Sequence, residues 1–193
     1  LKQYPENKTA RLCYGRSLGL LGDTQQAILV FTALKKTYPN DYEVKLNYAE
    51  TLLWDQQYGK AETYYQKLIE ENATSFSAVL GYANTLSNLK KYKSALEWVN
   101  KALGIQNNNP NALLSRKYIR LGYANQLAKN REYDQALALL DLNLKDFKND
   151  RDTQNNKATI FLTSNKLKEA SMVYNQMAIT PKDSIRALLG LSL

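Results

Sequence analysis

Residues 42–73 read YEVKLNYAETLLWDQQYGKAETYYQKLIEENA, two amphipathic segments joined at Asp55, Gln56 and Gln57. Within each segment apolar residues recur at spacings of 3, 4 and 7, the period that brings side chains to one face of an α-helix. Ala49 and Ala61 stand where two such helices have to cross, and a small side chain there lets the backbones approach and interlock. The stretch therefore reads as a helical hairpin.

Outward from this hairpin the pattern returns at a fixed period. Alanines at 27, 61, 95, 136 and 170 follow one another at spacings of 34, 34, 41 and 34. Twelve residues before each is another small residue, Gly15, Ala49, Ala83, Ala124 or Ala158, and nine before is a large apolar one, Leu18, Leu52, Leu86, Leu127 or Phe161. Four residues after come Phe31, Tyr65, Val99, Leu140 and Tyr174. With 4 prolines and 8 glycines in 193 residues, both halves of every copy can stay helical. The interval of 41 adds seven residues, close to two helical turns, so the apolar face stays in phase. Asn109 as N-cap and Pro110 as first helical residue predict a first helix in copy four from about 110 to about 129, against a longer loop around Asn107 to Asn109 as the alternative.

This unit resembles the tetratricopeptide repeat (TPR), on the period of 34, the helix-turn-helix form, the small residue at the eighth position and the alanine at the twentieth. The resemblance implies an all-α fold, a TPR alpha-solenoid built as a right-handed superhelix of antiparallel hairpins. It places one array domain over 1–193, with repeats at 8–41, 42–75, 76–109, 110–150 (carrying the seven-residue insertion) and 151–184. Leu1 to Asn7 resemble Leu34 to Asn40 and read as the tail of a preceding repeat, so the chain reads as a fragment of a longer array. Residues 185–193 read as the start of a further helix, whose apolar Ile185, Leu188, Leu189 and Leu191 suit a following repeat or a docking surface. Two departures stand out: the family's tryptophan at the fourth position is absent (Arg11, Lys45, Val79, Arg120 and Gln154 take its place), and its late proline occurs only as Pro5 and Pro39.

The residue inventory removes most catalytic chemistry. With no histidine and one cysteine, a Cys/His nucleophile, a Ser-His-Asp triad and the usual zinc ligands are unavailable. Cys13 is expected to be a small buried residue. The run Asp150 to Gln154 opens like a calcium loop but carries Asn155 and Phe161 where glycine and glutamate are required. Gly15, Gly19 and Gly22 form no phosphate loop. The chain reads as no enzyme, with no cofactor and no metal.

The formal charge of +8 would suit nucleic acid, but the lysines recur at hairpin turns and outer faces beside acids rather than as one cationic stripe, which disfavours that partner. No apolar run reaches the roughly 18 residues of a membrane span, so membrane association would be only indirect.

What remains is binding. By resemblance to the family, first helices line a concave groove and positions two, five, nine, twelve and thirteen of each copy point into it. The candidate partner-binding residues are then Arg16, Leu46, Glu50, Trp54, Leu80, Asn84, Asn88, Tyr118, Leu121, Asn125 and Asn155. Asn84 and Asn125 could hold a peptide backbone by donating and accepting together, and Leu46, Leu80 and Leu121 form an apolar line suited to a protein segment. Trp54 is either an anchor for that segment or packing between copies two and three. The lysines and arginine with which chaperone-binding relatives grip a C-terminal carboxylate are missing around these asparagines. The first function class is a non-catalytic scaffold for a protein or peptide. The alternative is a periplasmic TPR module of a bacterial envelope or polysaccharide export system preceding an outer-membrane barrel, with a glycan stacked on Trp54 and Tyr118; the phrase from Tyr48 to Leu68 resembles such arrays and places the periplasm or cell envelope ahead of the cytoplasm.

Overall fold

A computed structural model of the chain describes residues 7–177. The readings made of residues 1–6 and 178–193, the tail of an earlier repeat and the start of a further helix, lie outside the described residues. Among the described residues there are ten α-helices and no strand: α1 (Lys8–Leu20), α2 (Thr24–Thr37), α3 (Tyr42–Trp54), α4 (Tyr58–Glu71), α5 (Phe76–Asn88), α6 (Tyr92–Ile105), α7 (Pro110–Lys129), α8 (Tyr133–Asp146), α9 (Arg151–Thr163) and α10 (Leu167–Met177). None is long and apolar enough to cross a membrane.

Each first helix begins on a side-chain cap. Asn7, Asp41, Ser75 and Asp150 accept from the backbone N–H three residues on, and Asn109 Oδ1 accepts from the N–H of Asn111 and Ala112 at 3.0 and 3.3 Å. These caps fall at 7, 41, 75, 109 and 150, so copy four starts in register and its additional residues lie within α7 itself. That helix has 20 residues where α1, α3, α5 and α9 have 13.

Within each hairpin the turn is made by one left-handed residue: Gly22, Gln56, Lys90, Arg131 and Asn165, with φ of 88°, 60°, 60°, 65° and 59°. They repeat at the spacings of the alanines, and in one copy alone is the position a glycine, the residue that adopts this conformation at no steric cost.

By compactness the chain divides into two units, Leu1–Ser115 and Arg116–Leu193. In the first, Ala27, Ala49, Ala61, Ala83 and Ala95 are wholly buried, and so are Phe31, Tyr65 and Val99. The need for small residues is steric: a Cβ on Gly15 would stand 2.7 Å from Cζ of Phe31. In the second unit Leu121, Ala124, Leu127, Ala136, Leu140 and Ile160 form one core cluster, and Ala158 and Ala170 are equally buried. The expectation of a buried Cys13 does not hold. It is exposed, because the buried face of α1 is set by Leu12, Gly15 and Gly19, and one residue further on is a rotation of about 100°.

Ionic staples recur in both units. Lys8 on α1 bonds the cap Asp41 of α3, and Lys117 on α7 reaches the cap Asp150 of α9 at 2.5 Å. Both pairs span 33 residues, one repeat less one residue. The carboxylates therefore serve twice, as N-cap and as counter-ion.

Candidate functional site

In the first unit a cleft of about 240 Å³ opens between α3 and α5. Helix α3 contributes Glu50, Leu53 and Trp54, spaced so that one face carries all three. Helix α5 contributes Phe76, Ser77, Leu80, Gly81 and Asn84, Tyr65 enters from α4, and Asn111 comes from the first turn of α7.

Tyr65 reaches this cleft because Gly81 has no side chain. A Cβ there would lie 2.4 Å from Cζ and 2.5 Å from the hydroxyl oxygen of Tyr65. The ring is completely buried, and its hydroxyl finds no hydrogen-bond partner among the described residues. Burial, and then the charge of Glu50, push the phenol well above its ordinary pKa. Glu50 is half-buried. Burial raises its carboxyl above the ordinary range, while Arg16 on α1 pulls the other way. Two polar groups thus face one cleft without a complete set of partners.

Of the sequence-derived candidates, Glu50, Trp54, Leu80 and Asn84 come together here. Leu46 is half-buried on α3 and Arg16 is exposed on α1. Asn88 is exposed and donates its amide to the carbonyl of Asn84 at 2.9 Å. In the second unit Tyr118 is 53% exposed, and Asn125 and Asn155 are exposed. Leu121, by contrast, is core, only 7% exposed in the cluster around Ala124. The reason is its spacing: position five lies three residues before the small eighth-position residue, so Leu121 shares the face of Ala124, as Leu80 shares that of Ala83. Leu80 itself packs partly against Val79, Ala102 and Ala112.

Trp54 stands against Gly19 of copy one. A Cβ on Gly19 would fall 2.3 Å from its Cζ3 and 2.4 Å from its Cε3, so this edge of the ring stands against the backbone of α1. It also borders a second cleft, of about 470 Å³, with Gly19, Leu20, Gly22, Thr24, Asp55 and Gln56. There Asp55 accepts from Thr24 and Gln25 at 2.6 and 2.8 Å, bonds that, with one from Gln57, hold its carboxyl below the ordinary range. Sequence reading missed Tyr65, Phe76, Gly81 and Asn111 as cleft residues. The signal that could have found Tyr65 is the glycine at position six of the following copy, which makes room for its ring.

Among the described residues no group of His, Cys, Asp and Glu side chains is arranged to hold a metal ion.

Fold and packing define a protein of repeated helical hairpins. Residues 53–117 match the family profile of the tetratricopeptide repeat, and the chain as described is a helical repeat protein. Among solved structures it is similar to a thermophilic TPR protein of Thermus thermophilus, at 19% identity and a TM-score of 0.58, covering 97% of this chain and 100% of that one. It is also similar to YrrB, titled a TPR protein with an unusual peptide-binding site, at 14% identity and a TM-score of 0.65, covering 100% and 95%. A third, MamA, gives 15% identity and a TM-score of 0.67 over 88% of each chain. At these identities the likeness concerns the fold. No curated protein matches the sequence.

Proposed function

We propose that the chain is a non-catalytic scaffold that holds an extended or helical segment of another protein against its first helices, with the α3–α5 cleft as the principal contact. Tetratricopeptide repeats in general mediate interaction between proteins, and one structural neighbour is titled as having a peptide-binding site. The observation that carries the reading here is the meeting of Glu50, Trp54, Leu80 and Asn84 in one open cleft. Under it the chain is a single array of the copies given by the register. The glycan alternative needs aromatic faces open to sugar rings. Trp54 lies against Gly19, which leaves exposed Tyr118 as the better of its two candidates.

A photo-crosslinking amino acid placed at Ser77, exposed at the cleft, or at Glu97, exposed on α6, tests the reading. The expected result is adducts from Ser77 that map to one short segment of a protein and are absent from Glu97. The same adducts from both positions, or none from Ser77, would contradict it.

A further inference from the structure

The α3–α5 cleft has a composition at odds with the rest of the molecule. The chain has 26 basic and 18 acidic residues, yet among the described residues no lysine or arginine lines this cleft. Its one charged group is the Glu50 carboxyl, and its other polar groups are the Tyr65 hydroxyl, Ser77, Asn84 and Asn111, each able to accept a hydrogen bond. The rings of Trp54 and Phe76 stand beside them. Glu50 holds no ion pair or hydrogen bond among the described residues; Arg16 acts on it from beyond ion-pair distance. Its neighbour Tyr65 presents a buried hydroxyl with no partner.

We infer that this cleft recognises a basic side chain, lysine or arginine, of the bound segment. The inference rests on the scaffold reading and names the chemistry of its contact. An anionic side chain would meet the Glu50 carboxylate, and an apolar one would seal Glu50 away from water with nothing to bond it. An ammonium or guanidinium group supplies several N–H donors to the carboxylate and to the side-chain oxygens of Ser77 and Asn84, and its charge is favoured beside the Trp54 ring. The methylene stem that carries the charge matches the apolar wall of Leu53 and Leu80.

The test is selection of displayed random dodecapeptides on the whole chain and on Glu50→Gln, a substitution that keeps shape and removes charge, followed by affinity measurement on the enriched sequences. The expected result is a consensus with one lysine or arginine at a fixed position. Replacing that residue by norleucine, or Glu50 by Gln, should weaken binding by about tenfold or more. A consensus lacking a basic residue, or one that Glu50→Gln binds equally well, would overturn the inference and leave the scaffold reading standing. No enriched peptide on either protein would overturn both.

Discussion

The hydroxyl of Tyr65 occupies the space that a side chain at Gly81 would need, with 2.5 Å between that oxygen and the position of a Cβ. A packing residue of copy two thereby becomes part of the wall of a cleft that α5 completes. Gly81→Ala forces the ring to move, and overpacking of this kind costs about 1–3 kcal/mol. In a double-mutant cycle with Tyr65→Val, which installs the side chain that copy three carries at this register, the two losses should be less than additive by about 1 kcal/mol or more. Full additivity in urea unfolding would show that the two residues do not compete for the same space.

Glu50 sets a pH dependence. Its folded pKa is raised by burial above the ordinary value near 4.5. The stability contributed by its protonated form is thus fully present below that value and is lost as pH rises through the folded one. Glu50→Gln should melt close to the parent protein at about pH 4 and above it at pH 7. A melting difference independent of pH would refute the assignment.

The two ionic staples should respond unequally to loss of charge. Hydrogen bonding from Lys8 lowers the pKa of Asp41. At Asp150 burial acts upward, but bonds from Lys117 and Thr153 outweigh it and the net direction is also down. Both contributions are present above the ordinary aspartate range and lost as pH falls through the folded values. Lys117 is buried, its side chain only 7% exposed, whereas that of Lys8 is 33% exposed. Asp150→Asn should therefore cost about 2 kcal/mol, and Asp41→Asn distinctly less, because water screens the freed Lys8. Equal losses would show that exposure does not govern the pairs.

The hairpin turns offer a gain. Lys90 and Arg131 are exposed and left-handed, so Lys90→Gly and Arg131→Gly should each stabilise by about 0.5–1 kcal/mol. Gly22→Ala should destabilise by about 1 kcal/mol. Thermal melts of the three variants check the sign.

The sequence made the hairpin legible because two constraints repeat together: the small residues where helices cross and the large apolar ones beside them. All nine alanines of that register among copies one to five are fully buried, and the break of seven residues is seen as added length in α7. The left-handed turns were not legible, since glutamine, lysine, arginine and asparagine fill four of the five positions and carry no local signature. The groove was legible only in part. Counting positions finds which residues lie on the inner side of a first helix, but it does not separate those that share the crossing face. Leu121 lies in the core for that reason, while Asn84, one residue past the crossing alanine, faces the cleft. Trp54 and Tyr65 depended on glycines 35 and 16 residues away in sequence, Gly19 and Gly81, whose effect appears only when helices pack.

The chain has two tryptophans, and they report on different places. Trp54 borders the α3–α5 cleft, whereas Trp98 on α6 packs edge-on against Tyr82, ring centroids 5.0 Å apart, at a separate cleft. Titration of the selected dodecapeptide into isotope-labelled protein, followed at the two indole N–H resonances, tests the binding account most directly. The predicted result is a saturable shift of the Trp54 signal with that of Trp98 unmoved; a shift confined to Trp98, or saturation of binding with neither signal moving, would contradict it.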